Sequence, residues 1–563
     1  MSLFSDILAA RGLKGDELEK FLHSKYEDGH DPFKLPDMEE AVERLVLARE
    51  RQDHITIYGD YDIDGLTATT VLLDAFTSFG FKYVEAYIPN RFIEGYGLTV
   101  DAVEAIAATG ANLIITVDCG SLSTKEITRA NELGVDVIVT DHHNVLKVQP
   151  PAVAVVNPKR LLDEYPELYE NYTLKSNIKN PKSKNLYPFL DLPGVGVAFK
   201  LIQALQTRLD GLPAGQEKWL LDLVALGTVC DVVTLVDENR MHVKFGLEVM
   251  KKTRRPGLKA LMAVAGVDTK KLNARSFGFQ LGPRMNAAGR LETALYSLEM
   301  LRATDGMLAL DKAQQLDAMN LERRKEQDKI YKAALLQAEA YSKDSVLVVS
   351  AKGWSHGIIG IVAAKLLEKY KKPTYVLEEM GEESKGSARS YGDFSAADAI
   401  RASDDIITKG GGHKLAAGVT LPTKNIATFR KRVNEFYKSL NLQNQAQKLL
   451  PQADITIVDL SGVTEELVEQ LSSLEPFGNG NPEPVLRLGD ALVTNVRRMG
   501  ADAQHLKIQV QDINSLRLEL LAFNAPEQWF IEPGERINVW FEPNINEWNG
   551  NKTVEGRLVR LEI

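Results

Sequence analysis

The chain has 563 residues, 44% of them hydrophobic and 26% charged, a composition that excludes disordered and fibrous classes and is too long for one core, so three or four domains are expected. A formal net charge of −10 argues against a protein that coats nucleic acid non-specifically, but leaves room for a local basic channel in an acidic shell. The two cysteines, Cys119 and Cys230, exclude a disulfide framework and a cysteine-rich zinc site and fit a reducing compartment.

The opening stretch "MSLFSDILAARGLKGDELEKFL" reads as acidic helix, without the basic and apolar regions of a signal peptide, and no apolar run is long enough to span a bilayer. A cytoplasmic protein with no membrane contact is expected. From residue 50 to 160 strand-like runs ("HITIYG", "YVEAYIP", "NLIITV", "VDVIVT", "AVAVVNP") alternate with helix-like ones ("LTATTVLLDAFTSFG", "TVDAVEAIAATG", "STKEITRANELG"). That alternation predicts βαβ units and a parallel sheet. The polar run "YENYTLKSNIKNPKSKNLYP" reads as a surface loop.

Residues 190–300 read as mostly helical, and 306–342 as one long charged helix, polar on most faces, of the kind that bridges domains. A second α/β pattern runs from "SVLVVS" through "GIIGIVAAKLLEKY" and "PTYVLEE" to residue 445. Short alternating strands after residue 450, among them "HLKIQVQD", "RLELLAF" and "RINVWFEP", predict a small β-barrel. The expected domains are 1–305, a connecting helix 306–342, 343–447 and 448–563.

The chemistry concentrates at strand ends. In "IYGDYDIDGL" Asp60, Asp62 and Asp64 alternate between a strand and a helix; carboxylates so close repel unless a cation neutralises them, whereas helix N-capping needs one Asp and at most two. Asp118 ends "LIITVDCG", and Asp141, His142 and His143 end "VIVTDHH". In an open parallel sheet such ends line one crevice. Asp231 in "ALGTVCDVVTL" is a charge inside an apolar segment and needs a cation or a hydrogen-bonded partner. Asp62, Asp64, Asp118, His142 and Asp231, with Asp60 and His143 close by, suffice for two divalent ions about 3.5–4 Å apart on a shared carboxylate, a geometry used in phosphoryl hydrolysis. Oxygen donors with one imidazole favour Mn²⁺, with Mg²⁺ the alternative. Cys119 and Cys230 adjoin these ligands and read as small packing residues.

"DYDIDG", "VDCG", "VTDHH" and "CDVV", in this order, resemble the four motifs of the DHH phosphoesterases. "LPGVGVAFKL", "GPRMNAAGRL", "SHGIIGIVAAKL", "GSARS", "GGGHKLAAG" and "LEPFGNGNPEP" extend the likeness to the bacterial single-strand exonucleases of that family over the whole chain. The resemblance implies a parallel-sheet DHH domain, a long connecting helix, a smaller DHH-associated α/β domain and a C-terminal OB-type barrel. It implies that Asp62, Asp64, Asp118, His142 and Asp231 bind metal, with Asp118 the bridge. His143 would meet the scissile phosphate, Asp60 would be a ligand or stand just behind the ligands, and Asp141 would orient a histidine.

For the substrate, "SARS" is expected to form a turn with Arg389 beside Ser387 and Ser390, and "GGGH" places His413 after glycines such as Gly411 and Gly412 whose amides approach an anion closely. His356 would open a helix near its positive end. In "GPRMNAAGR" Asn286 is a candidate contact, while Arg284 and Arg290 read equally as phosphate ligands or as salt bridges between domains. Arg497, Arg498, Lys507 and Phe523 of the barrel suit single-strand binding or an ordinary surface. The resemblance adds 5′→3′ polarity and DNA preference, a role in repair and recombination, and a monomer that meets single-stranded DNA, a single-strand-binding protein and a helicase. Two rivals remain: a phosphodiesterase of short oligoribonucleotides, which needs no barrel, and a non-catalytic binding relative, which would have lost metal ligands.

Overall fold

A computed structural model describes residues 2–169, 185–442, 445–548 and 550–563. The predicted polar loop falls mostly on 170–184, outside the described residues. The chain forms two compact units, one of Met1–Gly29, Thr234–Lys244 and Leu450–Ile563, the other of His30–Val233 and Phe245–Leu449. No helix of the described residues is long and apolar enough to cross a membrane.

The second unit contains, after helix Met38–Arg51, a parallel sheet of β1 (Ile55–Gly59), β2 (Val84–Tyr87), β3 (Leu113–Val117), β4 (Asp136–Thr140) and β5 (Ala154–Val156), in the order β2-β1-β3-β4-β5. Every residue of β1 and β3 is buried, because helices cover both faces of a parallel sheet, and this explains their continuous apolar sequence. The order reverses beside β1, so the chain leaves β1 and β3 at a crevice. Helix Ile63–Phe79 buries Leu66, Val71, Leu72 and Phe76 completely, each contributing roughly 1.5–3 kcal/mol. Helices Gly194–Leu205 and Leu221–Cys230 pack against it and bring their own termini to the same crevice.

The long helix is Gly306–Ala340, close to the expected span. It buries Ala309, Ala313, Leu316, Asn320, Arg323, Gln327, Ile330, Ala334 and Ala338, a stripe stepping by three or four residues. Alanine and polar residues fill that stripe, so the sequence reads as polar on most faces although one face is consistently packed. The DHH-associated sheet follows, with β6 (Leu347–Lys352), β7 (Thr374–Met380), β8 (Glu383–Arg389), β9 (Lys409–Gly412) and β10 (Ala416–Pro422) in the order β6-β7-β8-β10-β9. Only β6 and β7 are parallel.

In the other unit β11 (Ile455–Ile457) adds to a barrel of β12 (Leu486–Met499), β13 (His505–Gln511), β14 (Arg517–Ala522), β15 (Arg536–Trp548) and β16 (Asn551–Glu562), closed by β12 pairing with both β13 and β15. Ile7 and Leu8 share the barrel's core with Ile457, Leu467 and Leu471. The expectation of one domain over 1–305 is corrected here: the N-terminal helices Leu3–Ala10 and Gly15–His23 belong with the barrel, because the apolar partners of the first lie there. Arg240 ties this unit together, stacked 3.7 Å from the Phe21 ring centroid and donating to Leu474 O at 2.9 Å. On the barrel surface Arg497, Arg498 and Phe523 are exposed, whereas Lys507 is 2.5 Å from Glu519.

Candidate metal centre and arginine cluster

The strand ends converge. Asp60, Asp62 and Asp118 form one group whose ligand atoms lie within 4.8 Å of one another, Asp64, His142 and Asp231 a second, and Asp118, His142 and His143 a third. Asp118 and His142 each belong to two groups, and Asp118 is the one carboxylate that does so among the described residues. His142 Nε2 lies 3.1 Å from Asp118 Oδ1, 3.6 Å from Asp231 Oδ2 and 3.8 Å from Asp64 Oδ2. Yet Asp60 Oδ1, Asp118 Oδ1, Asp231 Oδ2 and His142 Nε2 are buried without any hydrogen-bond partner. Orphaned buried donor atoms of this kind fit a divalent cation, whose charge would offset their desolvation.

Electrostatics agree. Burial raises Asp60, Asp118 and Asp231 well above the usual carboxylate range, and neighbouring aspartates raise them further. Asp64 is pushed up to about 7 by burial and then by Asp62. Burial and the nearby His143 keep His142 well below its ordinary value, leaving a neutral ring suited to ligation. Asp141 behaves oppositely: despite burial its carboxyl is held low by the His143 hydrogen bond and by both histidines. Its Oδ1 accepts from the amides of His142 at 2.7 Å and His143 at 3.1 Å and lies 2.9 Å from His143 Nδ1, while Oδ2 accepts from Ser121 N at 3.0 Å. Asp141 therefore orients His143, whose ring also meets the Tyr96 hydroxyl at 3.1 Å.

Local backbone explains the aim of these groups. Asp62 N-caps helix Ile63–Phe79, accepting from Asp64 N at 2.9 Å and Gly65 N at 3.2 Å, so capping accounts for one of the three alternating aspartates. Asp118 has φ 62° and Val232, just after Asp231, φ 63°, left-handed conformations that cost non-glycine residues energy and cluster at functional sites. The "LPGVGV" segment holds Asp64: Gly194 N and Val195 N donate to its two carboxylate oxygens at 2.6 and 2.8 Å. A Cβ on Gly194 would lie 2.6 Å from Asp118 Cβ, so only glycine fits there.

The second half contributes cations. Arg290 donates to Gly357 O at 3.0 Å; burial first, then Arg91, Arg323 and Arg389, lower it to about 9. Arg389 donates to Ala388 O at 2.8 Å and to Ser387 Oγ at 3.3 Å. Arg323 donates to Gln327 and Asn320, both at 2.7 Å, and Arg91 lies 4.1 Å from the Tyr61 ring centroid. Among the described residues none of these four pairs with a carboxylate, and Arg91 Nε and Arg323 Nε are buried without partners. Ser387 and Arg389 end strand β8, which corrects the expected turn: "ESKGSAR" pairs with both β7 and β10.

The remaining candidates divide. Arg284 takes the structural role, 2.8 Å from Asp317 and donating to Gln280 O at 2.7 Å. Asn286 is half-buried on helix Gly282–Leu291. His356 opens helix His356–Tyr370, but its amide and Nδ1 both meet Glu378 Oε2 at 2.9 Å, so the protein's own carboxylate fills that anion position. Gly411 and Gly412 lie on the exposed edge strand β9, and His413 Nδ1 is 3.4 Å from Asn144 Nδ2, which brings it beside the "DHHN" turn. Arg91 and Arg323 were not anticipated; the signals were the C-terminal end of β2 for the one and a cation inside an otherwise small or neutral helix stripe for the other.

Family models match at residues 54–228 (DHH family, N-terminal domain), 343–439 (DHHA1 domain) and 456–560 (RecJ OB domain). The single-stranded-DNA-specific exonuclease RecJ of Escherichia coli is 33% identical over 580 residues, covering 98% of this chain and 94% of that protein. That of Bacillus subtilis is 38% identical over 557 residues, and the match spans 98% of this chain but 66% of the longer relative. The crystal structure of RecJ in complex with Mn²⁺ from Thermus thermophilus superposes with a TM-score of 0.81 at 28% identity, covering 100% of this chain and 79% of that one, and the Mg²⁺ complex with 0.75 at 26%, covering 100% and 78%. With its DHH, DHHA1 and OB segments in order, the chain belongs to the RecJ family of single-stranded-DNA-specific exonucleases, within the DHH phosphoesterases.

Proposed function

We propose that this chain hydrolyses single-stranded DNA from the 5′ end with two divalent ions, Mn²⁺ before Mg²⁺, in DNA repair and recombination. The observation that carries the reading is the juxtaposition of buried, orphaned carboxylates with an arginine cluster that lacks carboxylate partners. Asp62, Asp64, Asp118, His142 and Asp231 would hold the ions, with Asp118 shared and Asp60, grouped with Asp62 and Asp118, as a further ligand. Ions bound there would supply Lewis acidity toward water and phosphate oxygens.

The chain's own groups do the rest. His143, held by Asp141, faces the cleft as a donor to the scissile phosphate, since the Asp141 hydrogen bond and charge raise its affinity for protons despite burial. Gly194 N and Val195 N fix both oxygens of Asp64. Arg389, with Arg91, Arg290 and Arg323, would receive a terminal phosphate dianion, which an internal diester does not offer. His413 would steady the strand next to it.

Digestion of 5′-labelled and 3′-labelled single strands with Mn²⁺, Mg²⁺ and chelator tests this. Mononucleotide released first from the 5′ label, only with metal, supports it; release first from the 3′ label overturns the polarity, and a dinucleotide cleaved faster than a long strand favours the short-oligonucleotide reading. A cytoplasmic monomer working beside a single-strand-binding protein and a helicase completes the proposal, checked by sedimentation and co-purification.

A further inference from the structure

Two basic residues, Lys159 and Arg160, follow β5. Arg160 is absorbed by structure, with Nη1 2.5 Å from Asp37 Oδ2 and Nη2 2.7 Å from Glu164 Oε1. Lys159, half-buried, makes no ion pair and no side-chain hydrogen bond among the described residues. β5 lies beside β4 with Val156 opposite Thr140, and Asp141 N donates to Val156 O at 3.1 Å. The residues past the two strand ends therefore stay abreast, Asn157–Lys159 next to Asp141–His143. Asn157, wholly buried, locks that alignment: Nδ2 donates to His143 O at 2.9 Å and Ser121 Oγ at 2.8 Å, and Oδ1 accepts from Lys159 N at 2.9 Å.

The Lys159 charge bears on His142, His143, Asp231 and His413, as one of the lesser contributions at each. Arg91 acts instead on Asp60 and Tyr61, and Arg290 on Tyr61. β2 and β5 are the two edges of the sheet, so Arg91, past β2, and Lys159, past β5, stand on different flanks of the carboxylates. If the strand terminus occupies the arginine flank, the rest of the strand leaves across the other, where Lys159 and His413 stand. A half-buried ammonium without a counter-ion is completed by an anion.

We infer that Lys159 binds the phosphodiester on the 3′ side of the scissile bond, an inference that rests on the reading of the site as a 5′-end nuclease. The test measures binding of a 5′-phosphorylated single strand by the full chain in chelator, over a range of salt, for wild type, Lys159→Gln and Lys159→Arg. Lys159→Gln should weaken binding about tenfold at low salt, the scale of one charge-assisted contact, and reduce the slope of log K against log salt by about 0.7. Lys159→Arg should keep the slope, and the ratio of activities on 5′-phosphate and 5′-hydroxyl ends should not move in either variant. An unchanged slope in a folded Lys159→Gln protein overturns the inference, as does a lost end preference. A wild type that neither binds nor cleaves single strands would instead remove the functional reading beneath it.

Discussion

The carboxylates past β1, β3 and β4 and the guanidiniums around Arg290 are both clusters of like charge that burial drives toward neutrality, Asp118 and Asp231 upward and Arg290 downward. They differ in how they are held. The carboxylates sit on strand and helix ends within one domain and point at one another, with Asp118 forced into a left-handed backbone to do so. The arginines come from four separate segments and donate only to backbone or neutral groups: Gly357 O, Ala388 O, Ser387, Asn320 and Gln327. Arg284, by contrast, pairs with Asp317. Protein-internal pairing marks charge used for structure, and two buried like-charged clusters without it are candidates for a ligand.

The largest effect should come from breaking the acidic side. Asp118→Ala removes the carboxylate common to two groups and should reduce cleavage by about a thousandfold or more while single-strand binding in chelator persists. Activity retained within about tenfold, or ~1.4 kcal/mol of barrier, would refute the shared-ligand role.

Breaking the basic side should be milder and selective. Arg389→Ala should cost about 2–4 kcal/mol on 5′-phosphorylated strands and far less on 5′-hydroxyl strands, and Arg91→Ala should act in the same direction. Paired rate measurements on the two ends decide it; equal losses would assign these arginines to the fold.

A third test asks whether the acids are completed by metal. In the metal-free protein Asp64 is raised from the usual value to about 7, and Asp60, Asp118 and Asp231 shift the same way. Through these four carboxyls the folded chain binds more protons than the unfolded one, so their stabilisation is present at low pH and is lost as pH rises through the folded values. The melting temperature in chelator should fall from about pH 5 to about pH 8, and Mn²⁺ should raise it more at the higher pH, where its ligands are ionised. Scanning calorimetry at both values, with and without Mn²⁺, checks the sign; a metal-free midpoint that climbs with pH contradicts it.

The smallest effect belongs to a paired charge. Arg284→Ala should lower stability by under about 1 kcal/mol, the scale of a partly exposed ion pair, and leave the 5′-phosphate preference intact. A lost preference in that variant would return Arg284 to the substrate.

The sequence by itself determined the parallel sheet, the long helix, the barrel and the acidic positions, because strand periodicity, helix length and charges at strand ends are local patterns that neighbouring residues carry in order. Asp60 to Asp64, Asp118 and Asp141 to His143 were legible for that reason. Only the tertiary structure decided which charges stay without partners. It gave Arg284 to Asp317 and left Arg290 without a carboxylate, though both belong to "GPRMNAAGR". It turned "SARS" from a turn into the end of β8, drew Leu3–Ala10 to the barrel's core, and gathered Arg91, Arg323 and Arg389 around Arg290. Pairing is a property of distance in space, and residues as far apart in the sequence as Arg91 and Arg290 leave no mark of it in the order of the chain.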